Sequence, residues 1–200
     1  MAQFSVKIMR LTGSVLGENQ QATDVEQSFA IGQAAQVIAF TAPGPQTFVP
    51  NGTVELTATG GASGLPVTFA TKTEAICSVS GTQATILSAG TCSVTASQAG
   101  NANYAAATDV TESFDIGPAA QLIAFTAPGP QVFVPGGTVE LSATGGASGL
   151  PVTFSTKTEA VCSVSGTQAT MLSAGTCSVT ASQAGNENYA AATEVDRKST

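Results

Sequence analysis

The chain has 200 residues, a formal net charge of −7, only 10% charged residues and no histidine. Its six basic residues are scattered, so it offers no cationic patch for nucleic acid or an anionic membrane surface. No apolar run approaches the roughly 20 residues that span a bilayer, and without histidine the His-based triads and most metal sites are excluded.

In chain order, Met1 to Arg10 lacks an apolar segment behind early positive charge, so it is not an ordinary signal peptide. The chain is then either cytosolic or a piece of a longer secreted protein, and its cysteines favour the second. Phe4 to Ile8 alternates in polarity without a match elsewhere. Thr23, Val25, Phe29 and Ile31 belong to a partial copy of a repeat whose full versions lie downstream. Gln36 to Val110 and Gln121 to Val195 align without a gap at an offset of 85, and nine of the 75 positions differ. Such a long period defines the architecture before anything else is read. It divides the chain into a partial N-terminal repeat with an unmatched leader (1–35), a first full repeat (36–117) and a second (118–200).

Each full repeat is a series of short alternating runs separated by turn chemistry. In the first, Gln36 to Thr41 is a strand, and the prolines from Pro43 to Pro50 keep the next stretch irregular. Asn51-Gly52 turns the chain. Thr53 to Ala58 alternates, with Val54, Leu56 and Ala58 on one face. Further strands lie at Pro66 to Phe69, Cys77 to Ser80, Ala84 to Leu87, Cys92 to Ala96 and Val110 to Ile116. Phe40, Phe48, Phe69 and Phe114 read as core, as do Phe125, Phe133 and Phe154. Seven strands in about 85 residues with no helical period predict an all-β fold, a β-sandwich in each repeat. Gly117-Pro118-Ala119-Ala120 joins the repeats; a linker this short, with a proline, limits freedom between them.

The stretch Leu65 to Ala96 carries a family signature: Leu-Pro-Val-Thr-Phe, then Thr-Glu-Ala-Ile-Cys-Ser-Val-Ser-Gly, then Ala-Thr-Ile-Leu-Ser-Ala-Gly-Thr-Cys-Ser-Val-Thr-Ala. It resembles the bacterial immunoglobulin-like repeats, group 2 type, found in tandem in large surface adhesins. Ser97 to Ala107 is similar to the tail of the same kind of repeat. The resemblance covers both full copies. It implies tandem immunoglobulin-like β-sandwiches, a non-catalytic role as a spacer or adhesion segment, and an extracellular or cell-surface location. Such repeats serve mostly as spacers and only sometimes bind ligands.

Many repeats of that kind carry small or apolar residues where this chain has Cys77 and Cys92, with Cys162 and Cys177 in the second copy. Cys77 shares a face with Val79, and Cys92 with Val94 and Ala96, so the thiols point inward. One even pair per copy argues for a disulfide within each domain and an oxidising compartment. The alternative is two buried thiols acting as small hydrophobes. Zinc does not fit two cysteines per domain, and no cofactor is expected.

The remaining candidates are weighed in the same way. Glu55 and Glu140 read as exposed strand charges that discourage edge pairing. Lys72 with Glu74, and Lys157 with Glu159, read as weak surface pairs. Asp109, Glu112 and Asp115, with Asn101 and Asn103, suggest an interdomain calcium site but form no compact ligand motif. Tyr104 and Tyr189 are candidate ligand contacts, since aromatic rings stack on sugars, although packing at a sandwich end accounts for them too. No catalytic residue is assigned, because no general base stands in a recognisable setting.

The two ends complement each other. After Val195 the second copy diverges into Asp196-Arg197-Lys198-Ser199-Thr200 and loses the counterparts of Phe114 and Ile116. The N-terminal segment carries a spare version in Phe29 and Ile31. A fragment of a longer array explains this. So does strand donation from Thr23 to Ile31 into the last domain of another chain, which makes a self-assembling fibre subunit. Expected partners are therefore neighbouring repeats, further copies of the chain, and a cell-surface glycan or protein.

Overall fold

A computed structural model describes residues 3–6 and 27–199 of the chain. All regular structure among them is β. A two-stranded antiparallel ribbon comes first: β1 (Gln3–Val6) pairs with β2 (Gln27–Ala30), Gln3 opposite Ala30.

The first sandwich holds β3 (Ala39–Phe40), β4 (Gln46–Thr47), β5 (Thr53–Glu55), β6 (Ala58–Thr59), β7 (Val67–Thr71), β8 (Cys77–Ser80), β9 (Gln83–Ile86), β10 (Gly90–Gln98) and β11 (Val110–Gly117). One sheet has the order β4-β11-β10-β7; the other face is formed by β5-β9-β8 and the pair β3-β6. On β10 the period-2 pattern is explicit: Cys92, Val94, Ala96 and Gln98 are buried and the residues between them are not. Alternate side chains of a strand point to opposite faces, so this pattern lines one wall of the core.

Two features depart from the sequence reading. Thr53 to Ala58 alternates like one strand but serves two sheets: β5 pairs with β9, and β6 pairs with β3. Leu56, only 1% exposed, sits at the crossing, and its N–H donates to the carbonyl of Thr82 at 2.7 Å. The proline-rich stretch contains β4, which runs parallel to the closing strand β11, Gln46 opposite Ile116. Phe48 continues this contact, its N–H donating to the carbonyl of Gly117 at 2.7 Å.

The core gathers Phe40, Phe48, Leu56, Ile86, Val94, Phe114 and Ile116 around the disulfide Cys77–Cys92. Phe40 and Phe69 pack with ring centroids 5.3 Å apart, within the range where aromatic pairs add to simple burial.

The second sandwich holds β12 (Ala124–Phe125), β13 (Thr138–Glu140), β14 (Ala143–Thr144), β15 (Val152–Thr156), β16 (Cys162–Ser165), β17 (Gln168–Met171), β18 (Cys177–Gln183) and β19 (Val195–Ser199). It repeats the pairing of the first, including the disulfide Cys162–Cys177 and the Phe125–Phe154 contact at 5.3 Å. Its closing edge differs. β19 pairs with β18 only as far as Ser199, which stands opposite Cys177 where Phe114 stands opposite Cys92. Residues 131–132, the counterpart of β4, form no strand. The buried hydroxyl of Thr180 has no hydrogen-bond partner among the described residues, whereas its counterpart Thr95 shares a 2.9 Å hydrogen bond with Thr111.

Candidate functional site

The most constructed surface of the molecule is the joint between the two sandwiches. It is built by the segment Gly-Asn-x-Asn-Tyr, present as Gly100 to Tyr104 and as Gly185 to Tyr189. Gly185 starts it because no side chain fits: a Cβ there would lie 2.4 Å from the carbonyl oxygen of Tyr189. The first asparagine, Asn186, folds the turn. Its side-chain oxygen accepts the N–H groups of Asn188 (3.0 Å) and Tyr189 (2.9 Å), and its own N–H donates to the carbonyl of Tyr189 at 2.8 Å. Asparagine suits such local turn closure.

That turn aims the next two side chains at the first sandwich. The Asn188 side-chain oxygen accepts the hydroxyl of Ser88 at 2.8 Å and the N–H of Ala89 at 2.7 Å. The Tyr189 ring meets Phe48 edge-on with centroids 5.6 Å apart. The linker is tied to the same turn. Ala119 donates to the carbonyl of Asn188 and its own carbonyl accepts Ala190 N–H, both at 2.9 Å. Ala119 and Tyr189 pack against the first core. Closing strand, linker and loop thus form one continuous contact.

Behind each Asn-Tyr loop sits a pair of buried glutamines, which sequence reasoning missed. Gln36 donates to the carbonyls of Ala99 (3.0 Å) and Ala105 (2.8 Å) and accepts Ser63 N–H at 3.1 Å. Gln98 accepts Gly61 N–H and donates to the carbonyl of Leu65, both at 2.7 Å. Gln121 and Gln183 repeat the set. Gln98, Gly60 and Gly61 recur at the repeat offset, the one signal in the sequence pointing there. A Cβ at Gly60 would come within 2.5 Å of the Gln98 amide nitrogen.

Among the described residues, none packs on the same end of the second sandwich as Asn188 and Tyr189 pack on the first. Phe133 is 40% exposed, while its counterpart Phe48 is 5% exposed. This corrects the expectation that Phe133 is core: among the described residues nothing equivalent to Ile116, Gly117 or Tyr189 covers it. Val132 and Val134 are exposed beside it. A cavity of about 360 Å³ opens there, lined by Phe133, Leu141, Val161, Met171 and the Cys162–Cys177 bridge. Ser173, the counterpart of Ser88, turns to its own domain and donates to the carbonyl of Ala160 at 2.9 Å.

The other sequence candidates fall elsewhere. The four cysteines form the two disulfides already described. Thr23 and Val25 lie outside the described residues. Phe29 and Ile31 are 57% and 53% exposed. Tyr189 is engaged in the joint, and Tyr104 occupies the matching position on the first sandwich, half-buried. Lys72 reaches Thr111 at 3.2 Å, and Lys157 reaches Asp196 at 3.8 Å, both on closing strands rather than on Glu74 and Glu159. Asp115 accepts the hydroxyl of Thr91 at 2.8 Å, and Asn101 is used in its own turn. Among the described residues no three Asp, Glu or Cys side chains come together as a metal site. No helix there is long and apolar enough to cross a membrane.

No known protein family matches the sequence, and no curated protein does. Solved structures overlap it loosely. Drosophila N-cadherin EC1-4 covers 82% of this chain and 47% of its own at 12% identity, with a TM-score of 0.30. The surface layer protein SbsC, domains 1-6, covers 88% and 29% at 14% identity, with a TM-score of 0.33. The C-terminal fragment of intimin, solved with its translocated intimin receptor domain, covers 68% and 52% at 20% identity, with a TM-score of 0.28. The chain spans from under a third to about half of those structures.

Proposed function

We propose that this chain is a non-catalytic extracellular spacer, a stiff segment of a bacterial surface adhesin. The interdomain joint carries the reading. Two hydrogen bonds to Asn188 and the Phe48–Tyr189 contact bind the second sandwich to the end of the first, and the linker is held in the same contact. Tandem repeats gain stability from such neighbour interfaces, and a spacer needs them to resist bending. The two disulfides favour an oxidising location, and the low charge suits an unreactive surface. The location and the adhesin parentage rest on these features together with the family resemblance.

NMR relaxation on the whole chain tests the stiffness. Both sandwiches are expected to share one overall tumbling time and one diffusion tensor. Independent tumbling would overturn the spacer mechanism.

A further inference from the structure

We propose that the open end of the second sandwich receives residues 27–34 of a second copy of this chain, joining chains head to tail. The intrachain joint is the template. There, Phe114 and Ile116 are 4% and 2% exposed in the first core, and the chain then passes through Gly117 to Ala119, where Asn188 and Tyr189 dock. The side chains of that joint recur at the repeat offset, Phe29, Ile31 and Ala34 on one side and Phe133 and Ser173 on the other.

The socket is the cavity of about 360 Å³ at Phe133 and the second disulfide. The counterparts of Phe133, Leu141, Met171 and the two bridged cysteines belong to the cluster that holds Phe114 and Ile116. In the second sandwich Ser199 takes the register position of Phe114, and a serine supplies none of that apolar bulk. Among the described residues, 131–132 have no closing strand beside them, whereas β4 has β11.

The plug is β2 together with residues 31–34. Phe29 and Ile31 lie 85 residues before Phe114 and Ile116 and are more than half exposed. Three residues past Ile31, Ala34 bridges Tyr104 in parallel, as Ala119 bridges Tyr189. Ala34 donates to the carbonyl of Asn103 at 2.8 Å, and its carbonyl accepts Ala105 N–H at 2.9 Å, repeating the bonds of Ala119. The first sandwich therefore carries an Asn-Tyr face directly behind the plug, with Asn103 exposed.

In the joined pair Phe29 takes the place of Phe114 and Ile31 that of Ile116. The outer end of β19 yields to them, and β2 leaves β1. Residues 131–132 gain a parallel neighbour. Asn103 takes the Ser173 hydroxyl and the Ala174 N–H, and Tyr104 covers Phe133. Strand addition of this kind draws affinity from main-chain pairing and specificity from alternate side chains. A head-to-tail contact does not close on itself, so it propagates into filaments. The inference is independent of the spacer reading, which a monomeric chain would leave intact.

Light scattering after size exclusion, on the full 200-residue chain from micromolar to millimolar concentration, tests it. The mass is expected to rise with concentration above that of one chain. F29D/I31D and F133D each abolish the rise. Mixed together they form a complex of two chains and nothing larger, because one keeps only the socket and the other only the plug. N103A weakens association by about 5- to 150-fold, the equivalent of two lost hydrogen bonds, and N103D does so much less. Phe29 and Ile31 lie outside both cores and Phe133 is 40% exposed, so circular dichroism should show all variants folded. A chain that stays monomeric throughout, or oligomers that persist in F29D/I31D or F133D, would overturn the proposal.

Discussion

Asn188 offers the sharpest test of the joint. Its side-chain oxygen accepts two hydrogen bonds from the first sandwich, at 2.8 and 2.7 Å. A typical hydrogen bond contributes a net ~0.5–1.5 kcal/mol, so Asn188→Ala removes about 1–3 kcal/mol of coupling between the domains. Asn188→Asp keeps an acceptor at the same place and should keep most of that coupling. The readout is the Ala89 amide, whose hydrogen faces Asn188 across the joint. Amide exchange reports the free energy of local opening. At ~1.4 kcal/mol per tenfold, exchange at Ala89 should accelerate by about 5- to 150-fold in N188A and much less in N188D. Amides on β7, which pairs with β10 only from Val94 to Gln98, should not change. Unchanged exchange at Ala89 in N188A, or equal acceleration in both variants, would refute the assignment of the clamp to the Asn188 oxygen.

The paired Phe sites give a contrast within one molecule. Phe48→Ala should cost about 3–5 kcal/mol, the usual range for a buried Phe, and Phe133→Ala distinctly less; denaturant unfolding of each variant reads the difference. Cys77→Ser/Cys92→Ser should destabilise the first sandwich by about 3 kcal/mol, the chain-entropy value for a closed loop of 15 residues; thermal unfolding at the wild-type midpoint would contradict this. Gln98→Leu leaves the Gly61 N–H and the Leu65 carbonyl without their partner and should cost about 1–3 kcal/mol, visible as a lowered denaturant midpoint and a disordered 60–65 loop by NMR.

Strand positions were readable because period-2 burial is written directly into runs such as Cys92 to Ala96. The all-β class and the inward face of Cys77 and Cys92 follow from the same rule. What the sequence hid depends on partners far along the chain. β4 exists because β11 lies beside it, and no local pattern in Gln46-Thr47 announces that pairing. Phe48 and Phe133 sit in closely matching sequences yet differ in burial, because burial is set by what covers a residue. Asn188 looks like a loop asparagine until Ser88, 100 residues away, is brought to it. The buried glutamines defied the composition rule that polar residues face water, and only the loops they hold explain their place.

The disulfides also set how far the chain can be drawn out. When tension unravels a sandwich, the segment between Cys77 and Cys92 stays closed, and its ends remain 5.8 Å apart at the α-carbons. An extended chain spans at most ~3.3–3.6 Å per residue, so a 15-residue separation withholds roughly 45 Å from each domain that opens. A filament or stalk built from this repeat would therefore lengthen under load in shortened, fixed steps, and reduction of the bridges would lengthen every step by that amount.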